Sequence, residues 1–405
     1  MNYLILTPIT LFPTIAGNRQ RILNVVRHIR AAGNTVSLLF FAQDIGAGLE
    51  GIINNNHIDE MKAEVDHFFM VVPDDDFPQQ CCEKLALRSR SDPTIDLQYP
   101  DWDIDDWYDE KISDAVSHIC RTHAIDVMVV NYIWMSKALL SAPHTTLKII
   151  DTHDRMGGRS ALLKSHGIPS SHFSVSLADE SRALQRADLV LPIQYEEEEY
   201  YAASSGKPVL TVGFDVPLTQ RPHAPYPDGR RLKVGFLSHR NNLNERCLKE
   251  IIHNLQTRPK LSQNIQFHLA GAISQCIATS SDENILKILG GVARPEDFYA
   301  QVDVVVNPIP VGTGLKIKTV EALCNDVPII CTREASAGIK TPWPFHRCES
   351  TEQVFDYIEQ IIDRTLPLDD VIQAGRDVAA HYVKEAREGL DTLANGEQLR
   401  RIAQK

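Results

Sequence analysis

The sequence consists of two successive series in which short apolar runs alternate with stretches of helical periodicity. In the first series, residues 3–6 have the pattern of a buried strand, residues 21–32 that of an amphipathic helix, and residues 36–41 that of a second strand. Further strands are predicted over residues 127–130, 148–150 and 189–192. Because a strand, a helix and a second strand in this order favour a parallel sheet covered by helices, the pattern predicts an α/β fold.

A second series of the same kind begins at residue 232, with strands predicted over 232–237, 265–270, 304–307 and 328–332. The two series are separated by Pro217, Pro222, Pro225 and Pro227 among polar residues, which is typical of an interdomain linker. We therefore predict an N-terminal domain over residues 1–216, a linker over 217–231 and a C-terminal domain over 232–384. A C-terminal helix at about 385–405 is expected to pack back on the first domain. No short sequence repeat is evident.

The amino-acid composition and net charge limit the kinds of molecule that the protein could bind. The 405 residues carry 41 Lys and Arg against 53 Asp and Glu, a net charge of −12, which makes nucleic acid a poor candidate. Eight scattered cysteines without a CxxC pair indicate a reducing compartment and no zinc site. No apolar run reaches the ~18–20 residues of a membrane span. We expect a cytoplasmic protein, and we leave open both its oligomeric state and a peripheral contact with the inner face of a membrane.

One stretch departs from the alternation. Residues 74–109 are acidic and carry Pro78, Pro93, Pro100, Trp102 and Trp107, so they are interpreted as an excursion from the sheet. The excursion is either a packed surface insertion or a part of the binding site for an acceptor.

The segment from Asn307 to Leu323 carries the most chemical information. A predicted strand ends at Asn307, and a turn with Gly312 and Gly314 leads into a predicted helix with Lys316 and Lys318 in its first turns. Glycines allow close approach of the backbone to a ligand, and a helix N-terminus presents unpaired N–H groups. Two lysines at this end are electrostatically favourable only beside an anion. The segment therefore predicts a site of the size of a diphosphate.

Glu321 lies one turn further along the same predicted helix. A carboxylate can accept two hydroxyl hydrogen bonds at once, which suits the vicinal diol of a ribose. The sequence thus predicts a site for a nucleoside diphosphate.

This segment resembles the donor-site motif of the family 4-like glycosyltransferases of the two-domain GT-B fold. Many of them have Gly-[Ser/Thr]-Gly-x-[Lys/Arg]-x-Lys-x-x-Glu-Ala at this place, which residues 312–322 match. The resemblance implies two Rossmann-like α/β/α domains that face each other across a cleft. It also implies that the nucleotide sugar is bound by Gly312, Thr313, Gly314, Leu315, Lys316, Lys318 and Glu321.

The resemblance assigns further residues to the donor side and to the acceptor side. Arg240, in the loop after the strand at 232–237, and Lys318 are expected to stabilise the leaving diphosphate without a metal or another cofactor. Gly17 and Asn18, after the first predicted strand, are expected near the phosphates and the acceptor. A plain turn before the first helix is the alternative for them.

Four ionisable residues follow the strand at 148–150, and the family often supplies a His or Asp that faces the acceptor from this loop. His153 and Asp154 are the candidates for orienting or deprotonating the acceptor hydroxyl, and the choice between them is left open. Asp151, Arg155 and Arg159 are placed in the cleft or at the acceptor. The alternative is a loop of internally satisfied ion pairs.

The expected function is the transfer of a sugar from a nucleotide-diphosphate sugar to a hydroxylated acceptor, such as a glycan, a lipid-linked sugar, a natural product or a protein. The family often has a glutamate where this sequence has Thr313, so retention of the anomeric configuration is expected while inversion stays open. The alternatives are a nucleotide-sugar epimerase or phosphorylase of the same fold, and a catalytically silent nucleotide-binding scaffold.

Overall fold

The computed structural model describes residues 1–14, 16–43, 57–168, 173–223, 226, 229–277, 285–292 and 294–404. The chain consists of two compact units. The first consists of Met1–Asp215 and Ala386–Lys405, and the second of Val216–Glu385. Among the helices of the described ranges, none is both long and apolar enough to cross a membrane.

The first unit contains a six-stranded parallel sheet in the order β3-β2-β1-β4-β5-β6. Its strands are β1 (Asn2–Thr7), β2 (Thr35–Phe41), β3 (His67–Val71), β4 (Val127–Asn131), β5 (Leu147–Asp151) and β6 (Leu189–Leu191). The central strands β1 and β4 are buried along almost their whole length, as expected for a parallel sheet with both faces covered.

Helices cover both faces of this sheet. They are α1 (Gly17–Ala31), α2 (Ile58–Ala63), α3 (Phe77–Ser91), α4 (Glu110–His123), α5 (Arg159–Ser165), α6 (Leu177–Leu184) and α7 (Glu198–Ser205). Two hydrophobic clusters result, one on each side of the strands. Leu390, Leu393 and Leu399 of the C-terminal segment belong to one of them.

The second unit repeats this plan with a five-stranded parallel sheet in the order β11-β10-β7-β8-β9. Its strands are β7 (Leu232–Leu237), β8 (Ile265–Ala270), β9 (Leu286–Gly290), β10 (Val304–Asn307) and β11 (Ile329–Cys331). Its helices are α8 (Asn242–Thr257), α9 (Pro259–Asn264), α10 (Pro295–Tyr299), α11 (Ile317–Cys324), α12 (Thr351–Ile362) and the first part of α13 (Leu368–Ala394). The end of α13 and all of α14 (Gly396–Ala403) belong to the first unit. The predicted α/β class is confirmed.

The same aspartate arrangement begins the fourth strand of each sheet. Asp126 precedes β4, and its carboxylate accepts the backbone N–H of Asn2 at 2.9 Å. Asp303 precedes β10, and its carboxylate accepts the backbone N–H of Lys233 at 2.8 Å. In both units the N–H of the aspartate in turn donates to the carbonyl of the same partner residue, at 2.9 Å. Each aspartate therefore sets the register between the first and the fourth strand.

The sequence did not predict the edge strands β3 and β9. Each pairs with a single neighbour, and most of its side chains are partly or fully exposed. An edge strand needs less apolar sequence because one side and part of its faces meet solvent, so its pattern is weak. The predicted strands all lie further inside a sheet, or, as β6 and β11, are short and fully buried.

The acidic excursion over residues 74–109 is a packed part of the first unit. It contains α3, and two of its aspartates form ion pairs: Asp103 pairs with Arg182 at 2.9 Å, and Asp105 pairs with Arg186 at 2.7 Å. Its buried side chains include Phe77, Cys81, Leu85, Ile104 and Tyr108. These contacts favour the interpretation as a packed insertion.

Within the predicted linker, Thr219 and Arg221 are bound to the second unit. The guanidinium of Arg221 donates to the carbonyls of Tyr299 and Val302, and its backbone N–H donates to Asp326. The start of the predicted linker is therefore packed against the second unit and is not a flexible connection. Pro225 and Pro227 lie outside the described residues.

A buried ion pair joins α1 to the end of β5. Arg21 and Asp151 are 1% and 2% exposed, and their closest atoms, Nη2 and Oδ1, are 2.7 Å apart. Arg21 also donates to the carbonyl of Val212 at 2.6 Å. Two buried charges are tolerated here because they are paired and because their remaining hydrogen-bonding atoms are satisfied.

Arg21→Met should lower the free energy of unfolding by about 3–5 kcal/mol, because it leaves the carboxylate of Asp151 buried without its partner. Chemical denaturation followed by circular dichroism measures the loss. The control is Arg27→Met on the same helix, where an ion pair with Glu64 lies at the surface and Arg27 is 59% exposed. That variant should lose at most about 1 kcal/mol. Equal losses in the two variants would contradict a structural role for the buried pair.

Candidate functional site

Strand order reverses between the first and the fourth strand of each sheet. In the first unit β1 lies beside β4, and in the second unit β7 lies beside β10. Ligands of open α/β sheets bind outside the carboxyl ends of the strands at such a reversal. The loops that follow these four strands, and their neighbours, are therefore where the predicted site residues should lie. Each unit is described by itself.

The loop after β10 holds the predicted phosphate-binding residues. Gly312 and Gly314 have φ angles of +148° and +72°, conformations that side chains with a Cβ rarely adopt. Lys316 precedes the first turn of α11, and its ammonium donates to the carbonyls of Thr313 at 2.9 Å and Gly314 at 3.0 Å. Leu315 is buried and anchors the turn. The loop thus curls around its own lysine at the N-terminus of a helix.

Lys318 lies in the first turn of α11 and is partly buried. Its ammonium makes no hydrogen bond or ion pair with any residue that the structure describes. Burial lowers the pKa of Lys318 below its usual value, while the neighbouring carboxylate of Glu321 acts in the opposite direction. A half-buried cation that forms no ion pair with a described residue has the electrostatic character of an anion site.

Glu321 is 7% exposed and lies one turn beyond Lys318 on α11. Burial, and then the charge of Glu321, raise the pKa of Tyr299 well above its usual value. The hydroxyl of Tyr299 also donates to the carbonyl of Lys318 at 3.3 Å. Tyr299 therefore supports both the carboxylate and the first turn of the helix.

Sequence reasoning missed a set of side chains that hold this helix against the strand. Asn307, the last residue of β10, donates from its amide to the hydroxyl of Thr319 at 2.9 Å. Thr319 donates onward to the carbonyl of Ala335 at 2.7 Å. The hydroxyl of Thr332 donates to the carbonyl of Ile309 at 2.5 Å. These bonds fix the start of the loop that carries Gly312 and Lys316.

Arg240 lies in the loop after β7, the neighbour of β10. Its side chain is 55% exposed and donates to Glu245 at 2.9 Å, and this hydrogen bond raises the pKa of Arg240. The adjacent Asn241 caps α8 by accepting the backbone N–H of Asn244 at 2.8 Å. Arg240 thus follows one strand of the reversal and Lys316 the other, as their positions in the sequence predict.

In the first unit, the loop after β5 holds most of its charges in pairs. Asp151 is bound by Arg21, and the carboxylate of Asp154 pairs with Arg159. The guanidinium of Arg155 lies 3.8 Å from the centre of the Tyr200 ring. Asp151 is thereby buried inside the unit rather than turned to a ligand. The second oxygen of Asp154, Oδ1, is buried without a hydrogen-bond partner among the described residues.

His153 has no ionic partner at hydrogen-bond distance among the residues that the structure describes. It is 7% exposed, and its Nε2 lies 2.8 Å from Oδ1 of Asn131 and 3.8 Å from Asp151. Its ring stacks on Tyr132 with centroids 4.2 Å apart. Burial lowers the pKa of His153 to about 4, so the imidazole is neutral at pH 7.

The start of α1 contacts the same tyrosine. Gly17 is the first residue of α1, and the amide of Asn18 donates to the hydroxyl of Tyr132 at 3.0 Å. Asn18 and His153 are thus brought to opposite sides of the reversal, with Tyr132 between them. Tyr132 follows β4, and nothing in its residue type pointed to this position.

Glu180 of α6 was also missed, although it holds the backbone of the loop after β5. It is fully buried, and one of its oxygens accepts the N–H groups of Met156 and Gly157, each at 2.9 Å. Its other oxygen would lie 2.4 Å from a Cβ at position 157, which only glycine avoids. The hydroxyl of Tyr200 donates to the same carboxylate.

Within the described ranges, no group of three or more His, Cys, Asp or Glu side chains converges as metal ligands would.

The low pKa of His153 should appear as a pH dependence of stability. Between its usual value of 6.5 and its folded value of about 4, the unfolded chain binds a proton that the folded chain does not. The free energy of unfolding therefore falls as the pH is lowered through this window, by about 2 kcal/mol between pH 7 and pH 5. His153→Asn tolerates the left-handed backbone at this position (φ +58°) and should lose that part of the dependence.

Urea denaturation at pH 7 and pH 5 measures the difference between the wild type and this variant. The exposed His144→Asn variant is the control and should keep the wild-type dependence. A His153→Asn protein with an unchanged dependence would show that His153 is not a buried neutral group.

Comparison with known proteins adds to this geometry. Residues 231–346 match the family described as Glycosyl transferases group 1. The match contains the loop after β7, the loop after β10 and α11. No curated protein sequence matches the chain.

Similar solved structures cover both units. The lipopolysaccharide outer core galactosyltransferase WaaB is 12% identical with a TM-score of 0.61, over 97% of this chain and 100% of that one. Anabaena HepE in complex with UDP-glucose is 14% identical with a TM-score of 0.55, over 97% and 99%. A trehalose-6-phosphate structure from E. coli bound with UDP-2-fluoro glucose is 9% identical with a TM-score of 0.62, over 100% and 99%.

At these identities the structures establish the fold, which is GT-B, and the family match adds the class of domain in the second unit. The predicted resemblance is confirmed. The chain thus has a GT-B fold, and its residues 231–346 are similar to the group 1 glycosyltransferases, as predicted for an enzyme of the glycosyltransferase class.

Proposed function

We propose that the protein transfers a sugar from a nucleotide-diphosphate sugar to an acceptor hydroxyl, without requiring a metal and with retention of the anomeric configuration. The observation that carries the proposal is the site at the head of α11. There a half-buried Lys318, which has no hydrogen-bonded partner among the described residues, lies beside a glycine turn that curls around Lys316. A diphosphate supplies the negative charge that this arrangement lacks.

The phosphate oxygens would compete for both lysines. Lys316 donates to two neutral carbonyls, and a charged phosphate oxygen is a stronger acceptor than a carbonyl. For Lys318, an adjacent anion offsets the burial that now lowers its pKa. A diphosphate is therefore a stronger acceptor for Lys316 than these carbonyls, and it offsets the burial of Lys318.

Glu321 is proposed to hold the ribose through its two adjacent hydroxyls. Its carboxylate is buried and supported by Tyr299, so it is held in place before the nucleotide binds. The similar structures from Anabaena and E. coli contain UDP-glucose and UDP-2-fluoro glucose, which supports a UDP-hexose as the first donor to examine.

In the transfer itself, the bond between the anomeric carbon and the diphosphate breaks, and the diphosphate leaves with the electron pair. Lys316, Lys318 and Arg240 are proposed to stabilise the charge that develops on it, which is the task a metal performs in other enzymes. The acceptor oxygen forms the new bond and loses its proton, which the leaving diphosphate can accept.

The first unit is proposed to orient hydroxyl groups for this reaction. His153 is neutral at pH 7 and can accept a hydrogen bond, and Asp154 is paired with Arg159. Asn18 and Gly17 stand at the neighbouring strand end. Arg155 and Arg159 act through their pairs with Tyr200 and Asp154 in this proposal. The acceptor itself is a hydroxylated molecule.

A thermal-shift screen with UDP, GDP, ADP, TDP and CMP, with and without EDTA, tests the donor site. A nucleotide at 100 times its Kd should stabilise the protein by roughly 2.7 kcal/mol, and the shift should survive EDTA. Lys318→Ala should abolish most of the shift, whereas Lys249→Ala on the exposed face of α8 should keep it. A screen in which no nucleotide shifts the wild type would refute the proposed donor site, and a shift lost with EDTA would refute metal independence.

Glu321→Ala should weaken the nucleoside diphosphate identified by the screen by roughly tenfold or more, because hydrogen bonds to a charged group contribute about 1.5–3 kcal/mol each. Calorimetry with the ribonucleotide and its 2′-deoxy analogue separates this effect from general damage. The variant should lose the preference for the ribonucleotide, and the exposed Glu349→Ala should keep it. A preference that survives in Glu321→Ala removes the ribose assignment.

A further inference from the structure

The loop after β7 and the loop after β8 are held against each other by backbone contacts. The N–H of Ser238 donates to the carbonyl of Ala270 at 3.1 Å, and the carbonyl of Ser238 accepts the N–H of Ile273 at 3.3 Å. Between these two contacts lies Gly271, whose φ is +88°. A Cβ at this position would lie 2.2 Å from the carbonyl oxygen of Ser238, so only glycine fits. The two loops therefore keep a fixed relative position.

The start of α8 holds the loop that carries Arg240. Asn241 is the N-cap of this helix and accepts the backbone N–H of Asn244 at 2.8 Å. The side-chain amide of Asn244 donates back to the carbonyl of His239 at 2.9 Å. Glu245 lies in the first turn of α8, where a negative charge is favourable because the unpaired N–H groups give this end a partial positive charge. The backbone that carries Arg240 and Glu245 is thus fixed by hydrogen bonds.

The carboxylate of Glu245 connects side chains of the two loops. Its Oε1 accepts a hydrogen bond from Nε of Arg240 at 2.9 Å and another from Sγ of Cys276 at 3.5 Å. These hydrogen bonds lower the pKa of Glu245, the one from Arg240 more strongly. Partial burial, and then the hydrogen bond to Glu245, raise the pKa of Cys276. The thiol therefore stays protonated at pH 7 and remains a donor.

The hydrogen bond to Glu245 uses only one end of the Arg240 guanidinium. A guanidinium has its N–H donors in one plane, and its two terminal nitrogens, Nη1 and Nη2, form an edge that matches two oxygens of a phosphate. Glu245 is bound through Nε, and no described residue accepts a hydrogen bond from Nη1 or Nη2. Because the side chain is 55% exposed, an anion can reach this outer edge from solvent.

The same geometry favours positioning by Glu245 over competition. An exposed arginine without a partner samples many side-chain conformations, and binding an anion must then restrict them. The hydrogen bond from Nε restricts Arg240 before the anion arrives. Competition would require Glu245 to occupy the edge that the phosphate needs, whereas it leaves Nη1 and Nη2 open.

We propose that Glu245 is a positioning residue that holds Nε of Arg240, with support from the thiol of Cys276, so that Nη1 and Nη2 bind two oxygens of the diphosphate. The contact with the diphosphate rests on the proposed function, whereas the ordering of Arg240 by Glu245 does not. All three residues belong to the second unit, so the arrangement needs no residue of the first. Glu245 thereby contributes to the affinity for the donor without touching it.

Nitrogen NMR of protein labelled with ¹⁵N-arginine tests the ordering of Arg240 without a ligand. The Nε–H group of a held arginine exchanges slowly with water and shows little fast motion, and Arg240→Lys assigns its signal. Glu245→Ala should make this group mobile and fast-exchanging. Glu245→Gln keeps an acceptor oxygen and should retain much of the order. A mobile Nε–H group in the wild type, or a signal that Glu245→Ala leaves unchanged, would overturn the proposal.

Calorimetry with UDP tests the consequence for the donor. Glu245→Ala should weaken UDP binding about two- to fivefold, the range expected for an exposed ion pair, and Glu245→Gln should lie closer to the wild type. In an Arg240→Met background, Glu245→Ala should have no further effect, because Glu245 acts only through the guanidinium. The control Glu250→Ala lies on the same helix and removes the partner of Arg246, whose Nε donates to it at 3.2 Å. That variant should leave UDP binding unchanged.

The outcomes separate this proposal from the proposed function. Tighter binding of UDP by Glu245→Ala would show competition and overturn the proposal, and so would a loss that persists in the Arg240→Met background. Equal affinity of the wild type and Arg240→Met for UDP would overturn the contact with the diphosphate and leave the proposed function standing. Absence of UDP binding by the wild type would count against the proposed UDP-hexose donor and against the contact with it, while the ligand-free spectra would still decide the ordering of Arg240.

Discussion

In each unit, strand order reverses between the first and the fourth strand. This reversal determines where the polar side chains at the strand ends lie. Parallel strands bring their carboxyl ends to one edge, and at the reversal the loops after two neighbouring strands diverge to opposite faces. An aspartate at the start of the fourth strand sets the register of the central pair, through Asp126 with Asn2 and Asp303 with Lys233. The strand ends that carry Asn131 and Asn307 are placed by this register.

The two units treat charge in different ways at these strand ends. In the first unit, Asp151 and Asp154 are each paired with an arginine. The carboxylate of Glu180 accepts hydrogen bonds from two backbone N–H groups and from a tyrosine hydroxyl. These bonds neutralise or satisfy the carboxylates and hold the loop around His153 in place. In the second unit, Lys318 is half-buried without a hydrogen-bonded partner among the described residues. The first arrangement builds a neutral polar surface, and the second builds a positive one.

The loop after β10 could be predicted from the sequence because its residues are contiguous. Gly312, Gly314, Lys316, Lys318 and Glu321 lie within ten positions, so their spacing on a turn and a helix could be predicted directly. The interior strands could be predicted for a similar reason, since each is a short contiguous stretch rich in apolar residues. The edge strands β3 and β9 could not, because partial exposure weakens the apolar pattern on which the prediction depends.

Residues that act across long sequence distances could not be found in this way. Glu180 meets Gly157 from 23 positions away, Arg21 meets Asp151 from 130, and Asn131 meets Leu6 from 125. One signal was present without being recognised. The stretches Asp126-Val-Met-Val-Val-Asn131 and Asp303-Val-Val-Val-Asn307 share an aspartate, an apolar run and an asparagine, and they form the same element in the two sheets.

The sequence by itself determined the class of fold, the interior strands and the glycine and lysine turn at the head of α11, because these depend on local patterns of hydrophobicity, conformation and charge. Only the tertiary structure decided which charged residues form ion pairs and which can bind a ligand. Asp151, for example, is paired with Arg21. It also decided that His153 is buried, which lowers the pKa of its imidazole and leaves it neutral at pH 7. Protonation depends on burial and on partners that come from distant strands and helices, and no local stretch of sequence contains them.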